Sequence, residues 1–152
     1  MSVHEKLASL VGTWKCTNRL NFGQGSPIQE SPGTATVGTR VGGQCLEIAY
    51  TWAFEGKAQD GIILLDKNGK TDDATAAWTD TFHYAHSLMH CLGTWDENGK
   101  VSVTGSYAAG DGPDWHWRTE IEPGDNSFKY LMTNISPEGE EEWAVEMDFT
   151  RA

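Results

Sequence analysis

Apolar and polar residues alternate with a period of two through much of the chain, as in Leu46, Ile48, Tyr50, Trp52 and Phe54, or Trp143, Val145, Met147 and Phe149. That period puts successive side chains on opposite faces of an extended strand, so each run reads as a strand with one buried face. Turn-forming residues punctuate the runs at Pro32-Gly33, Gly42-Gly43, Glu55-Gly56, Asn68-Gly69, Ala85 to Ser87, Asn98-Gly99, Gly110 to Asp114, Pro123 to Asn126 and Pro137 to Gly139. Gly, Asn and Asp supply the positive φ that short hairpin loops require. Nine turns separate ten segments. A helical pattern occurs only at the start, where Ser2 and Glu5 have capping-box spacing and Val3, Leu7, Leu10 and Val11 share a face. Hairpins in succession make an up-and-down antiparallel sheet, which removes its exposed edges by closing. The expected fold is all-β, an up-and-down antiparallel barrel of about ten strands with a short N-terminal helix, in a single domain over residues 1–152. A barrel of that size is wider inside than side chains alone fill, so a cavity for a small molecule is expected.

Composition changes this picture in two ways. Leu, Ile, Val and Phe number 27 of 152 residues beside a net charge of −11, a balance that approaches the disordered range. Seven tryptophans argue for a folded core instead, one built from rings more than from aliphatic chains. The excess of 22 acidic over 11 basic residues repels phosphate backbones and anionic lipid heads, so neither nucleic acid nor a membrane surface is an expected partner. No apolar run reaches the ~18 residues of a membrane helix, and the N-terminus lacks the pattern of a secretory leader. A cytoplasmic location is the expectation. Cys16, Cys45 and Cys91 are widely separated and form no CxxC pair, which fits reduced core thiols better than disulfides or a zinc site.

Gly12-Thr13-Trp14 opens the first strand and Phe149-Thr150-Arg151 closes the last. This pairing resembles the calycin arrangement of lipocalin-like and fatty-acid-binding-like barrels, where G-x-W sets a tryptophan on the barrel floor and an arginine from the last strand packs across it. The resemblance implies structural roles for Trp14 and Arg151, a guanidinium over an indole closing the barrel end. Over nearly its whole length the chain is similar to a bacterial lipocalin-like family known as domain of unknown function 1579. The similarity runs through LASLVGTWKC, the run Trp78-Thr79-Asp80-Thr81-Phe82-His83, the block Gly105-Ser106-Tyr107 with Gly112-Pro113-Asp114-Trp115, and EWAVEMDFTR. That family has no established activity, so the resemblance implies a fold and leaves function open. More distantly, the opening resembles nitrobindin-like haem barrels, whose haem-ligating histidine comes from the last strand. Here that stretch is Val145-Glu146-Met147-Asp148-Phe149, so no haem and no other cofactor is expected.

Register assigns the candidate chemistry. If the turn after Tyr84 is Ala85 to Leu88, Trp78 lies opposite Trp95, Phe82 opposite Cys91 and His83 opposite His90. One face then carries Trp78, Asp80, Phe82, Tyr84, Met89, Cys91, Gly93 and Trp95 and should point inward; Thr79, Thr81, His83, His90, Leu92 and Thr94 take the other. Asp80 would be buried among rings, which is costly unless it meets donors or takes up a proton, so it is either a backbone-bonded core carboxylate or a site residue. His83 and His90 across two strands, with His86 in the turn, fall short of the ligand set of a zinc site, and no metal is expected. Trp115 and Trp117 face one way and Arg118 the other, where it suits a neighbouring Glu better than a ligand carboxylate. Tyr50, Trp52, Phe128, Tyr130 and Met132 complete an apolar wall. The expected ligand-binding set is Tyr50, Trp52, Trp78, Asp80, Phe82, Tyr84, Trp95, Trp117, Tyr130 and Met132 around a small, mostly apolar or aromatic molecule. The alternative is a cavity enzyme in which Asp80, with a reoriented His83, performs acid–base chemistry. A haem-binding barrel is a third reading, and assembly as a homodimer is left open.

Overall fold

A computed structural model describes residues 4–67 and 71–152; Ser2, Val3 and the Asn68-Gly69 turn lie outside the described residues. One short helix, α1 (Glu5–Ala8), precedes ten strands: β1 (Gly12–Leu20), β2 (Gln29–Arg40), β3 (Cys45–Phe54), β4 (Lys57–Lys67), β5 (Asp73–Asp80), β6 (Met89–Trp95), β7 (Val101–Tyr107), β8 (Trp115–Gly124), β9 (Ser127–Ile135) and β10 (Glu141–Arg151). Each strand pairs antiparallel with its neighbours in sequence, and β10 pairs with β1, which closes the barrel and leaves no open edge. Alternation becomes burial: on β10 Val145, Met147 and Phe149 are buried and Asp148 between them is exposed.

Turn chemistry explains most of the connections. Glu55 and Gly56 both have positive φ, at 50° and 77°, and form a two-residue loop whose twist matches the flanking strands. Pro32-Gly33 is not a turn; both residues lie within β2, and residues 21–28 make the first connection. A Cβ on Gly33 would stand 2.8 Å from Cys16 Sγ and 2.9 Å from the Thr51 carbonyl oxygen. That glycine serves close packing between strands.

The floor of the barrel holds α1. His4 caps it, Nδ1 accepting from the Lys6 amide at 3.2 Å, and Leu7 and Leu10 are buried. Val11, expected on the same face, is 47% exposed because the helix has already ended at Ala8. The Arg151 guanidinium lies 3.9 Å over the Trp14 ring and donates to the carbonyls of Ser9 (2.8 Å) and Val11 (3.0 Å), while Trp14 Nε1 donates to the Leu10 carbonyl. These contacts fasten the segment between helix and barrel to the last strand.

The interior departs from the open cavity expected of ten strands. Tyr50, Trp52, Trp78, Trp95, Trp117, Tyr130 and Met132 are each no more than 6% exposed. Rings from opposite walls meet: Trp78 of β5 stacks on Trp117 of β8 with centroids 5.5 Å apart, and Tyr50 of β3 contacts Tyr130 of β9 at 5.2 Å. Fused and phenolic rings reach across a span that aliphatic side chains would leave open. Among the described residues no helix is long and apolar enough to cross a membrane.

Candidate functional site at the barrel mouth

The end of the barrel opposite α1 is organised by Asp80. β5 stops there, and residues 81–88 loop across before β6 begins at Met89. The register therefore differs from the four-residue-turn expectation: Trp78 lies opposite Met89 and not Trp95, Ala77 lies opposite His90, and the Phe82–Cys91 and His83–His90 pairs do not form. The cause is the carboxylate. Asp80 Oδ1 accepts from the backbone N–H of Phe82 (3.0 Å), His83 and Tyr84 (3.1 Å), which curls the chain out of the ladder. The Thr79 hydroxyl fastens the curl by donating to the Tyr84 carbonyl at 2.8 Å. The register is displaced by six residues, an even number, so Met89, Cys91 and Trp95 still point inward.

Asp80 is only 4% exposed, yet all its lone pairs have work. Its Oδ2 lies 3.1 Å from His83 Nδ1 and accepts a long bond, 3.5 Å, from the Tyr50 hydroxyl, which in turn accepts from Trp78 Nε1 at 2.8 Å. Burial pushes the carboxyl pKa up, but the His83 ring and the backbone donors outweigh it and hold the group below its usual value. Gly61 makes the row possible. It sits between Tyr50 and Asp80 in register, and a Cβ there would fall 2.7 Å from the Asp80 Cβ and into the Tyr50 phenol.

The bend carries three rings across the opening. Phe82 packs on Trp52 (5.1 Å) and Phe54 (5.2 Å), and exposed Phe22 extends this rim toward solvent. His83 lies between Trp52 (5.8 Å) and Trp117 (5.3 Å), and Tyr84 stacks on Trp78. Beside His83 a pocket of about 230 Å³ opens between Trp117, Asn21, Phe22, Asn134, Glu142, Trp143 and Ala144. Its remaining walls are loop residues and strand ends, where alternation carries no signal. The one clue in the sequence is a large apolar residue, Phe22, in a turn region.

The expected set thus divides by depth. Trp52, Trp78, Asp80, Phe82, His83, Tyr84 and Trp117 gather at the mouth; Tyr50, Tyr130 and Met132 lie deeper. Trp95 lies at the floor end, opposite Val101, with its amide bonded to the Asp72 carbonyl. His90 is exposed on the outer surface, and His86 borders an outer groove with Ile62 and Thr79 whose lining also reaches Asp80. Arg118 also faces outward, donating to Glu141 and lying 3.7 Å from Glu120. Among the described residues no group of three or more His, Cys, Asp or Glu side chains converges as a metal site. The inward residues of β10 are Val145, Met147 and Phe149, and none of them is a histidine.

Residues 1–151 match the profile of a family described as a protein of unknown function, DUF1579. The chain belongs to that family. A solved structure described as the crystal structure of Rv2717c from M. tuberculosis is similar, with a TM-score of 0.66 and 11% identity over 99% of both chains. At that identity the likeness shows the barrel alone. A search of curated proteins found no match.

Chemically, the mouth joins an aromatic rim to a carboxylate–imidazole pair. In the neutral imidazole, a carboxylate at Nδ1 calls for the tautomer with its proton there, which leaves Nε2 able to accept a hydrogen bond.

Proposed function

We propose that this family member binds a small, flat, largely apolar molecule at the barrel mouth, against Trp117 and the Phe22–Phe82 rim, with His83 as its polar contact. The observation that carries this reading is the His83 ring itself: tethered at Nδ1 to Asp80, flanked by Trp52 and Trp117, and bordering a pocket of about 230 Å³. Pockets that hold small molecules join apolar walls to a few oriented polar groups, and this one sets Phe22, Trp117, Trp143 and Ala144 beside His83, Asn21, Asn134 and Glu142. Rings at the rim offer stacking area, and Asp80 fixes which way the imidazole points.

The direct test is titration with N-phenyl-1-naphthylamine, a neutral aromatic fluorophore. Saturable one-to-one binding that quenches tryptophan emission and weakens about tenfold in His83→Ala is the expected result. Binding that never saturates, or is equal in parent and variant, refutes the site. One observation favours a second reading. The 3.1 Å Asp80–His83 contact is the arrangement that readies Nε2 to take a proton, so acid–base chemistry on the bound molecule is the alternative. It requires turnover that Asp80→Asn abolishes while binding of the fluorophore persists.

A further inference from the structure

The pocket of about 230 Å³ at the mouth has a charge as well as a shape. Its lining holds one carboxylate, Glu142, and neither lysine nor arginine. Register brings Glu142 there: it lies opposite Asn134 of β9, which lies opposite Trp117 of β8, so the three make a row along the rim. A Cβ built on Gly23 would stand 3.1 Å from Glu142 Oε1, which places the carboxylate against the residue that follows Phe22. The anionic group thus sits beside the aromatic rim and opens to solvent, since Glu142 is exposed.

The neighbouring polar groups leave that charge unbalanced. Glu142 forms no ion pair among the described residues. Arg19, whose guanidinium lies 5.4 Å over the Trp143 ring, pairs with Glu146 at 3.0 Å, and Arg118 pairs with Glu141. Asn21 spends its amide on the backbone, donating to the Trp143 carbonyl at 2.8 Å and accepting from the Gly23 N–H at 3.1 Å. The Asn134 carbonyl accepts from the Tyr107 hydroxyl, so that side chain has only uncharged N–H donors left. Three walls of the pocket are the rings of Phe22, Trp117 and Trp143, and the face of an aromatic ring attracts a cation.

We infer that the mouth pocket selects for positive charge, taking an arylalkyl ammonium whose ring lies against Trp117 and Phe22 and whose nitrogen meets Glu142. The inference rests on the reading that a small molecule binds at the mouth, and it adds the charge that molecule carries. An ammonium supplies the opposite charge that the pocket lacks, and the indole faces beside it strengthen the contact. A ligand carboxylate meets Glu142, the Asp80 carboxylate behind His83 and the field of a protein of net charge −11.

The probes are 1-naphthylmethylamine, 1-naphthalenemethanol and 1-naphthoic acid, which at pH 7 present one ring system as a cation, a neutral molecule and an anion. Calorimetry and displacement of N-phenyl-1-naphthylamine measure their affinities for the parent, Glu142→Gln and Glu97→Gln. Glu97 is exposed in the turn between β6 and β7, at the floor end, so its variant makes the same change in net charge away from the mouth. Both glutamates are exposed, and both variants are expected to fold. The parent should bind the ammonium about tenfold more tightly than the alcohol, and the naphthoate most weakly. Glu142→Gln should reduce the preference for the ammonium to about twofold while affinity for the alcohol and for N-phenyl-1-naphthylamine persists, and Glu97→Gln should leave the preference intact. Equal binding of ammonium and alcohol by the parent overturns the inference, as does a preference that survives in Glu142→Gln. An equal loss in Glu97→Gln also overturns it, because the preference then belongs to the net charge and not to the pocket. Failure of the mouth reading looks different: N-phenyl-1-naphthylamine and all three probes then fail to bind the parent, and the inference falls with it.

Discussion

Replacing Asp80 by alanine removes the acceptor for three backbone N–H groups and the partner of His83 and Tyr50 in one step. Hydrogen bonds to a charged group contribute about 1.5–3 kcal/mol each, so the three amides set an upper bound of about 9 kcal/mol. The expected loss is smaller. Phe82, His83 and Tyr84 are half-buried at the mouth, and once released their amides can turn to water, which leaves about 3 kcal/mol. For a chain of this length that lowers the melting temperature by about 6–12 °C. Asp80→Asn keeps one oxygen for the amides and should cost about 1 kcal/mol, or about 2–4 °C. The pH dependence has a definite sign. A carboxyl whose folded value is depressed below 3.8 stabilises the fold above that pH, and the contribution is lost as pH falls through the depressed value. The difference between parent and Asp80→Ala should therefore be full at pH 7 and shrink in strong acid. Thermal unfolding followed by circular dichroism at both pH values measures it, and amide exchange at residues 82–84 localises it. An alanine variant that melts within about 2 °C of the parent at pH 7, with those amides equally protected, would show that something other than the carboxylate holds the bend.

Arg151→Ala should lower the melting temperature by about 1–8 °C while leaving naphthylamine affinity unchanged, because its cation–π contact with Trp14, of about 0.5–2 kcal/mol, lies at the floor, far from the mouth; an unchanged melting curve removes the floor assignment. Tyr50 and Tyr130 are fully buried, and burial first, then neighbouring acidic groups, pushes both phenols well above 10.0. Their neutral forms favour the folded state, so stability is full below pH 10 and is lost above it; in an absorbance titration the two should ionise only with unfolding, and reversible ionisation in the folded protein would contradict their burial. Burial raises the Cys91 thiol to about 11 and, with Asp148 nearby, the Cys16 thiol to about 12, so neither should react with iodoacetamide at pH 8 in the native state, and rapid alkylation of either would refute the packing around it.

The alternation of Leu46, Ile48, Tyr50, Trp52 and Phe54 was enough to specify a strand and its buried face, because a period of two is a local property of extended backbone. Nine connections between ten such runs were likewise enough for an antiparallel barrel, since short loops leave few other topologies. Gly33 misled because two backbone needs look alike in sequence: the residue that permits a turn also permits a close approach, and only the proximity of Cys16 and Thr51 distinguishes them. Trp52, Trp78, Asp80 and Trp117 were legible as inward-facing, and that facing survived a register error because the error was even. The depth of each was not legible. Whether Trp95 lies at the floor and Trp117 at the mouth depends on where each strand begins along the barrel, which hydrogen bonds between distant segments decide. His83 is the clearest case. Strand parity puts it outside, but Asp80 stops the strand three residues earlier and turns the imidazole inward.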